Sequence, residues 1–197
     1  MKIKGKQINE GGITAMENVY DRVLEFLPKN KNIEILDAGC GIGNLSKRLL
    51  EKDYKNILTL DTTNKLKVNV PFIKADLNED LEFEKKFDII VCQEVIEHLE
   101  NPRHLLRELK KILKKEGLII LTTPNIFNWK ARIYYLLTGR IWGFNEENYE
   151  VNGHITPITK QDIQRICDEE NLKLNTITYN NSNKEILGDN LIVVIGI

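Results

Sequence analysis

The chain has 197 residues, with 28 basic and 29 acidic residues and a net charge of −1. A chain of this length buries roughly 70% of its extended surface on folding, so one domain over residues 1–197 is enough to form a core. Because the net charge is close to zero, it provides no general attraction to nucleic acid, and we expect a ligand of another kind.

Cysteine usage and hydropathy bear on the location of the protein. The sequence has three cysteines without C-x-x-C spacing, each in or beside an apolar segment: Cys40, Cys92 and Cys167. This is typical of buried free thiols. The first residues show no signal-peptide pattern, and no apolar run approaches the ~20 residues of a membrane span. We therefore expect a cytoplasmic protein.

The first predicted element is an amphipathic helix. Residues Thr14 to Glu17 have the form of a capping box. Apolar residues then recur at helical spacing as far as Pro28. This pattern predicts a helix that covers one face of the core before the first strand.

A glycine-rich turn follows the first predicted strand, near residues 33–37. Residues 35–46 read ILDAGCGIGNLS, an apolar run that ends on Asp37 and leads into a helix near 44–52. Glycine tolerates positive φ and lets a ligand approach the backbone. The Asp37 carboxylate would weaken phosphate binding but hold a cation, and Asn44 replaces the third glycine of G-x-G-x-x-G. The turn therefore favours a small cationic cofactor over a pyrophosphate.

The next predicted strands also end on acids. Asp61 ends the second strand, near 57–60, 18 positions after Gly43, which is close to the spacing at which an acid binds ribose hydroxyls. Asp76 follows a third strand near 71–74. Two further strands are predicted near 88–92 and 118–122, and such alternation with helices indicates a parallel sheet. Only about ten residues separate the second and third strands, so we expect no regular helix there.

Four segments in this order, 35–46, 57–61, 72–77 and 87–102, resemble the class I S-adenosylmethionine-dependent methyltransferases. The fourth, FDIIVCQEVIEHLENP, resembles the small-molecule branch that includes the quinone O-methyltransferases. The resemblance implies an α/β, Rossmann-like, doubly wound sheet of seven strands in the order 3-2-1-4-5-7-6, with the last strand antiparallel and helices on both faces. It implies S-adenosylmethionine as the cofactor and S-adenosylhomocysteine as its product. The candidate cofactor-binding residues are Asp37, Gly39, Cys40, Gly41, Gly43, Asn44, Asp61, Thr62, Asp76, Leu77 and Gln93.

Two histidines are candidates for catalysis. An acceptor hydroxyl or amine must lose a proton, and His98 and His154 are placed to accept it. The resemblance associates Glu-x-x-Glu-His, here Glu94, Glu97 and His98, with a divalent cation near the acceptor, and these residues can share one face of a helical turn. A metal site, a metal-free base and a structural His98 remain open, and we assign no metal ligand. His154 either contacts the acceptor or orders its loop.

A long helix is predicted between the fourth and fifth strands. Asn101 and Pro102 make a favourable helix start, and a buried leucine-rich stripe then extends over 103–115. Four lysines are predicted near its C-terminal end, where cations stabilise the helix dipole: Lys110, Lys111, Lys114 and Lys115.

Aromatic residues are concentrated after the fifth strand. Half of the chain's aromatics fall between residues 125 and 149: Phe127, Trp129, Tyr134, Tyr135, Trp142, Phe144 and Tyr149. Because open α/β sheets bind ligands at the carboxyl ends of their strands, we interpret 125–150 as a lid that recognises the acceptor. Two alternatives are an oligomer interface and an interfacial helix, Asn128 to Leu137 with Gly139 as its end, on a membrane that carries a lipid-linked acceptor.

The last part of the chain returns to a regular pattern. A helix with Thr159 as its N-cap is predicted, followed by strands near 172–179 and 190–196. The leading hypothesis is an S-adenosylmethionine-dependent methyltransferase that modifies an O or N atom of a small or lipid-linked acceptor. The alternatives are a non-catalytic methyltransferase-like partner and an NAD(P)-dependent oxidoreductase, which Asp37 and the missing third glycine disfavour.

Overall fold

The computed structural model describes residues 18–197. The capping box predicted at Thr14 and Glu17 lies outside them, and the helix that follows, α1, is described over residues 18–24. The strands are β1 (Ile35–Ala38), β2 (Ile57–Asp61), β3 (Phe72–Lys74), β4 (Phe87–Gln93), β5 (Leu113–Pro124), β6 (Lys173–Tyr179) and β7 (Asn190–Gly196). The other helices are α2 (Asn44–Glu51), α3 (Pro102–Ile112), α4 (Trp129–Thr138), α5 (Glu146–Asn152) and α6 (Lys160–Glu169), with a 3₁₀ turn at Ile96–His98.

The seven strands form one sheet in the order β3-β2-β1-β4-β5-β7-β6. Neighbouring strands among β1 to β5 pair in parallel, whereas β7 pairs antiparallel with both β5 and β6. This arrangement confirms the predicted fold class and strand order. Because the first five strands are parallel, their carboxyl ends meet at one edge, which is where open sheets bind ligands.

The sheet is buried on both faces by helices. One hydrophobic cluster joins Leu36 of β1 to residues of α3 and α6. The other joins Ile35 of β1 to residues of α1 and α2. Neighbouring residues of one strand therefore enter opposite cores, as expected for a parallel sheet covered on both sides.

Several predicted helix ends are confirmed. The Asn101, Asn128 and Thr159 side chains each accept a hydrogen bond from a backbone N–H in the first turn of α3, α4 and α6. Gly139 ends α4 with a φ of 68°. As expected, residues 62–71 between β2 and β3 contain no helix.

The prediction for the end of α3 was wrong. The helix ends at Ile112, and Leu113 is already extended and pairs with Phe87 of β4. Lys114 and Lys115 therefore belong to β5, not to the helix terminus, and Lys114 Nζ donates to the Asp88 carboxylate at 2.7 Å. Pairing with the neighbouring strand overrides the helical propensity of this lysine-rich segment.

Within residues 18–197, no helix combines the length and the apolar character that a bilayer crossing requires.

Candidate active site

The glycine turn after β1 adopts backbone conformations that favour glycine. The φ angles of Gly39, Gly41 and Gly43 are 79°, 53° and 84°. A Cβ atom on Gly39 would lie 2.3 Å from Val95 Cγ2, while one on Gly41 would meet no atom within 4 Å. Gly39 therefore allows close packing against the segment after β4, and Gly41 leaves free space above the turn.

The short β2–β3 connection covers the other end of this turn. A Cβ atom on Gly43 would lie 2.5 Å from Val68 Cγ1 and 2.9 Å from Leu66 Cδ2. Lys67 N also donates to Ile42 O at 3.0 Å. The segment that lacks a helix thus lies directly against the turn, a contact that no sequence pattern predicted.

Asp61 joins the glycine turn to the end of β2. Its Oδ2 accepts a hydrogen bond from Gly41 N at 2.9 Å, and its Oδ1 accepts one from Thr62 N at 2.7 Å. A carboxylate has about four lone-pair sites, so both oxygens retain capacity for ligand hydroxyls. The carboxylate is therefore fixed in position and still able to bind.

A cavity of about 620 Å³, here called the strand-end cavity, opens at the carboxyl ends of these strands. Its volume is typical of small-molecule sites. Seven predicted site residues line it: Gly39, Gly41, Asp61, Thr62, Asp76, Leu77 and His98. Lys65, Asn78, Glu94 and Asn152 also line it and were not among the predicted site residues. Glu94 belongs to the Glu-x-x-Glu-His stretch that the resemblance associates with a divalent cation. The only sequence signal of the other three is that they lie near strand ends or the aromatic segment.

The remaining predicted cofactor-binding residues, Asp37, Cys40, Gly43, Asn44 and Gln93, lie outside this lining. Asp37 is buried, accepts a hydrogen bond from Ser46 Oγ at 2.5 Å, and has its pKa raised to about 6 by burial. Burial also raises the pKa of the Cys40 thiol to about 11, so it is neutral at pH 7. For these five residues, as for the six that line the cavity, a cofactor contact stays a prediction.

Glu94 is held in an unusual conformation at the edge of the cavity. Its φ is 52°, uncommon for a residue other than glycine. Thr122 Oγ1 donates to Glu94 Oε1 at 2.7 Å, and Asn190 Nδ2 donates to Oε2 at 2.8 Å. Burial raises the pKa of Glu94 to about 7. Hydrogen bonds from β5 and β7 thus hold the Glu94 carboxyl group, which the sequence motif grouped with His98.

The two candidate catalytic histidines lie side by side. The ring centroids of His98 and His154 are 4.8 Å apart. Their Nδ1 atoms lie 3.2 Å from Gly153 O and 2.8 Å from Gly143 O. In a neutral ring whose Nδ1–H donates to such a carbonyl, Nε2 carries the free lone pair. Burial lowers the pKa of His154, which favours its neutral form.

Backbone hydrogen bonds hold the His154 loop against the turn that contains His98. The N–H groups of Ile155 and Thr156 both donate to Glu97 O at 3.0 Å. Thr156 Oγ1 donates to Leu99 O at 2.6 Å. These hydrogen bonds between the two segments therefore hold His98 and His154 next to each other.

Glu97, His98 and His154 form a cluster whose candidate ligand atoms lie within 4.8 Å of one another. The Glu97 side chain is fully buried, and neither carboxylate oxygen has a hydrogen-bond partner among residues 18–197. Burial and the nearby Glu94 carboxylate raise the pKa of Glu97 well above its ordinary range. Two imidazoles and a carboxylate suit a transition metal. Glu94 does not share a helical face with these residues, because the 3₁₀ turn begins only at Ile96.

The aromatic segment follows β5 and folds into α4 and α5, which lead to His154. A cavity of about 460 Å³, here called the histidine-side cavity, is lined by Arg140, Ile141, Phe144, Tyr149 and His154 among others. Phe144 packs against the His154 ring at a centroid distance of 5.4 Å. Part of the aromatic segment therefore lies next to the candidate catalytic residues.

The sheet order, the glycine turn and the cavity beside it define the class of Rossmann-like methyltransferase folds. Residues 13–177 match the methyltransferase domain family, and the chain belongs to this family. The family predicted from the four sequence segments is thereby confirmed.

Individual relatives agree with this assignment. The ubiquinone biosynthesis O-methyltransferase of Rickettsia bellii (strain OSU 85-389) is 31% identical in an alignment of 119 residues, and the alignment covers 54% of this chain and 48% of that protein. The chain spans about half the length of the curated relatives it matches.

Solved structures show the same fold. An S-adenosylmethionine-dependent methyltransferase from Mesorhizobium loti aligns with a TM-score of 0.69 and 15% identity, covering 90% of this chain and 97% of that one. The magnesium protoporphyrin IX methyltransferase of Synechocystis, solved with bound S-adenosylhomocysteine, aligns with a TM-score of 0.67 and 18% identity, covering 98% and 89%.

Proposed function

We propose that this protein is an S-adenosylmethionine-dependent methyltransferase that transfers a methyl group to an O or N atom of a small acceptor. Membership of the methyltransferase domain family supports the class of reaction. The observation that carries the proposal is the Asp61 carboxylate, which is fixed by Gly41 N at the strand-end cavity. With three free and buried cysteines, we further propose that it acts in the cytoplasm.

The strand-end cavity fits this cofactor chemically. Asp61 would accept hydrogen bonds from the ribose hydroxyls, and Asp76, by the resemblance, one from the adenine amino group. Gly41 leaves space for the cofactor because its missing Cβ would point into open volume. S-adenosylmethionine supplies a methyl group on a positively charged sulfur, which nearby carboxylates favour electrostatically.

The protein would contribute to the reaction mainly by aligning the acceptor with the cofactor and by removing one proton from the acceptor. In-line methyl transfer depends on the relative position of the acceptor atom, the methyl carbon and the sulfur. His98 lines the strand-end cavity and contacts His154, so either ring would accept the acceptor's proton on Nε2. The segment 125–150 would enclose the acceptor, since residues of this segment and His154 together line the histidine-side cavity.

One observation favours a second mode of activating the acceptor. The carboxylate of Glu97 is buried and has no hydrogen-bond partner among residues 18–197. Glu97, His98 and His154 would together hold a divalent cation, which would lower the pKa of an acceptor hydroxyl as a Lewis acid. Turnover that is lost with EDTA and recovered with one added metal ion would support this mode. Turnover that is unaffected by EDTA would support a histidine base without metal.

Calorimetry with S-adenosylhomocysteine tests the proposal. We expect micromolar binding by the wild-type protein and at least a tenfold loss in Asp61→Ala, because the variant lacks the carboxylate that accepts from the ribose. Asp80→Ala is the matched control, since the Asp80 side chain is exposed. Absence of binding by the wild-type protein would contradict the proposal.

Turnover separates an enzyme from a non-catalytic relative. Incubation with S-adenosylmethionine labelled in the methyl group and a cell extract should give a labelled small molecule. If the protein binds S-adenosylhomocysteine but labels nothing and co-purifies with a stoichiometric partner, the non-catalytic alternative is correct.

A further inference from the structure

Three side chains outside the candidate active site form a second cluster of potential metal ligands. His104 and Glu108 lie four positions apart on α3, so they share one face of the helix. Asp80 lies in the connection between β3 and β4. The candidate ligand atoms of these three residues lie within 4.8 Å of one another. None of the three residues lines the strand-end cavity.

Two contacts hold the β3–β4 connection against α3. Leu81 N donates to Glu108 Oε2 at 3.0 Å. The Leu81 side chain is buried in the same hydrophobic cluster as Leu105 and Leu109 of the helix. Asp80 directly precedes Leu81, and its own side chain is exposed. The position of Asp80 beside the helix is therefore set by the buried contacts of its neighbour.

His104 has a ring nitrogen that the protein leaves unpaired. Its Nε2 atom is buried and has no hydrogen-bond partner among residues 18–197. Asp80 Oδ1 lies 3.7 Å from it, which is too far for a hydrogen bond. Two ligand atoms of a tetrahedral zinc site are about 3.3 Å apart, since each bond to the metal is ~2.0–2.1 Å long. The separation of Nε2 and Oδ1 is thus close to that of two atoms that bind one ion.

Glu108 adds a buried carboxylate that is ionised at pH 7. Burial alone would raise its pKa, but hydrogen bonds from Lys111 and from Leu81 N hold the pKa of Glu108 below its ordinary value. Lys111 Nζ donates to Glu108 Oε1 at 2.6 Å, and the lysine side chain is more than half exposed. The ammonium can therefore turn towards solvent and leave Oε1 free for an ion. Metal binding requires the deprotonated carboxylate that is present here.

We propose that Asp80, His104 and Glu108 bind one divalent transition-metal ion, for which Zn²⁺ is the probe, with water as the fourth ligand. The imidazole favours Zn²⁺ over Mg²⁺ and Ca²⁺, which prefer oxygen ligands. The ion would join the β3–β4 connection to α3. This site is separate from the cluster of Glu97 and the two candidate catalytic histidines, and it is assigned no role in methyl transfer.

Histidine NMR on the full chain tests the proposal directly. The chain has three histidines, so isotope-labelled imidazole rings give three sets of signals, and the His104→Gln variant identifies the set of His104. We expect Zn²⁺ to shift the Nε2 signal of His104 with a Kd in the micromolar range or below, even in a large excess of Mg²⁺. The signals of His98 and His154 report the other cluster separately. A His104 signal that does not respond to Zn²⁺ would overturn the proposal.

Asp80 and its neighbour Glu79 supply the matched variants. Both side chains are exposed, but only Asp80 belongs to the cluster. Asp80→Ala should weaken Zn²⁺ binding at His104 at least tenfold because it removes a ligand, whereas Glu79→Ala should leave the binding unchanged. Neither side chain is buried, so neither substitution threatens folding. Equal weakening in both variants would indicate a general attraction to surface charge and would overturn the proposal.

Lys111→Gln tests the role of Glu108 without replacing this buried residue. The variant removes the ammonium that competes with the ion for Glu108 Oε1, so Zn²⁺ binding at His104 should become at least threefold tighter. Unchanged or weaker binding would show that Glu108 is not a ligand and would overturn the site of three ligands.

The metal site and the proposed function are tested by separate measurements. Calorimetry with S-adenosylhomocysteine in the presence of EDTA should give the same affinity for Asp80→Ala as for the wild-type protein, because Asp80 lies outside the lining of the strand-end cavity. Failure of the wild-type protein to bind S-adenosylhomocysteine would refute the proposed function alone. Failure of Zn²⁺ to bind at His104 would refute the metal site alone.

Discussion

Gly39 shows how one missing atom positions the candidate active site. Its φ of 79° costs an L-residue about 1–2 kcal/mol, and its Cβ would also fall 2.3 Å from Val95 Cγ2. We therefore expect Gly39→Ala to lower the free energy of unfolding by roughly 2–4 kcal/mol in urea titrations, because Val95 must also move.

Gly41→Ala is the matched control for this prediction. Its φ is also positive, but its Cβ would meet nothing within 4 Å, so only the conformational cost of about 1–2 kcal/mol is expected. In addition, Gly39→Ala and Val95→Ala together should cost less than the sum of the single changes. Equal losses in the two glycine variants would show that packing against Val95 is unimportant.

The buried carboxyl group of Asp37 predicts a pH dependence of stability. Its pKa is about 6 in the folded protein, against about 3.9 in an unfolded chain. The folded state therefore binds more protons between these values, and stability falls as the pH rises from about 4 to about 6. The contribution of Asp37 to this fall is about 3 kcal/mol at most.

Two variants test this assignment by urea unfolding between pH 4 and pH 7. Asp37→Asn removes the titration, so the stability of the variant relative to wild type should increase towards pH 7. Ser46→Ala removes a hydrogen bond that lowers the pKa of Asp37, so the decline should extend to higher pH. An unchanged pH slope in Asp37→Asn would show that other groups are responsible.

At the scale of elements, α6 begins with a capping box next to the His154 loop. Thr159 Oγ1 accepts from Asp162 N, and the Asp162 carboxylate accepts from Thr159 N at 3.1 Å. Thr159→Ala should lower the free energy of unfolding by about 1 kcal/mol, since it leaves an N-terminal N–H without its partner. Thr63→Ala, in the exposed β2–β3 connection, should change stability by less than about 0.5 kcal/mol. Equal losses would show that the cap is unimportant.

The ends of a helix could be predicted from the sequence where they depend on residues within one turn of that helix. Asn128 and Gly139 delimit α4 because a cap and a left-handed glycine act within one turn of the helix. The boundary between α3 and β5 was not predictable, because it depends on the pairing of Leu113 with Phe87 of a strand distant in the sequence. Local preference over 113–116 is helical, and tertiary pairing overrides it.

At the scale of the whole molecule, two cores on opposite faces of one sheet position the site. The strand order followed from the family resemblance and is confirmed, although hydrophobic periodicity alone could not have supplied it. Of the predicted cofactor-binding residues, those at the tips of β2 and β3 line the strand-end cavity, whereas Asp37 is buried beneath the glycine turn. An acidic residue at the end of a predicted strand therefore indicates well where the carboxyl edge of the sheet lies. It indicates less well whether the side chain can contact a ligand.

The family, the glycine turn and the capped helices could be predicted from the sequence, because each depends on residues close together in the chain. Three other features are visible only in the folded protein: His98 contacts His154, Thr122 and Asn190 donate hydrogen bonds to Glu94, and an apolar cavity lies between α4 and the residues that follow it. These features join residues far apart in sequence, and such contacts are fixed only when the strands pair and the helices pack on the sheet.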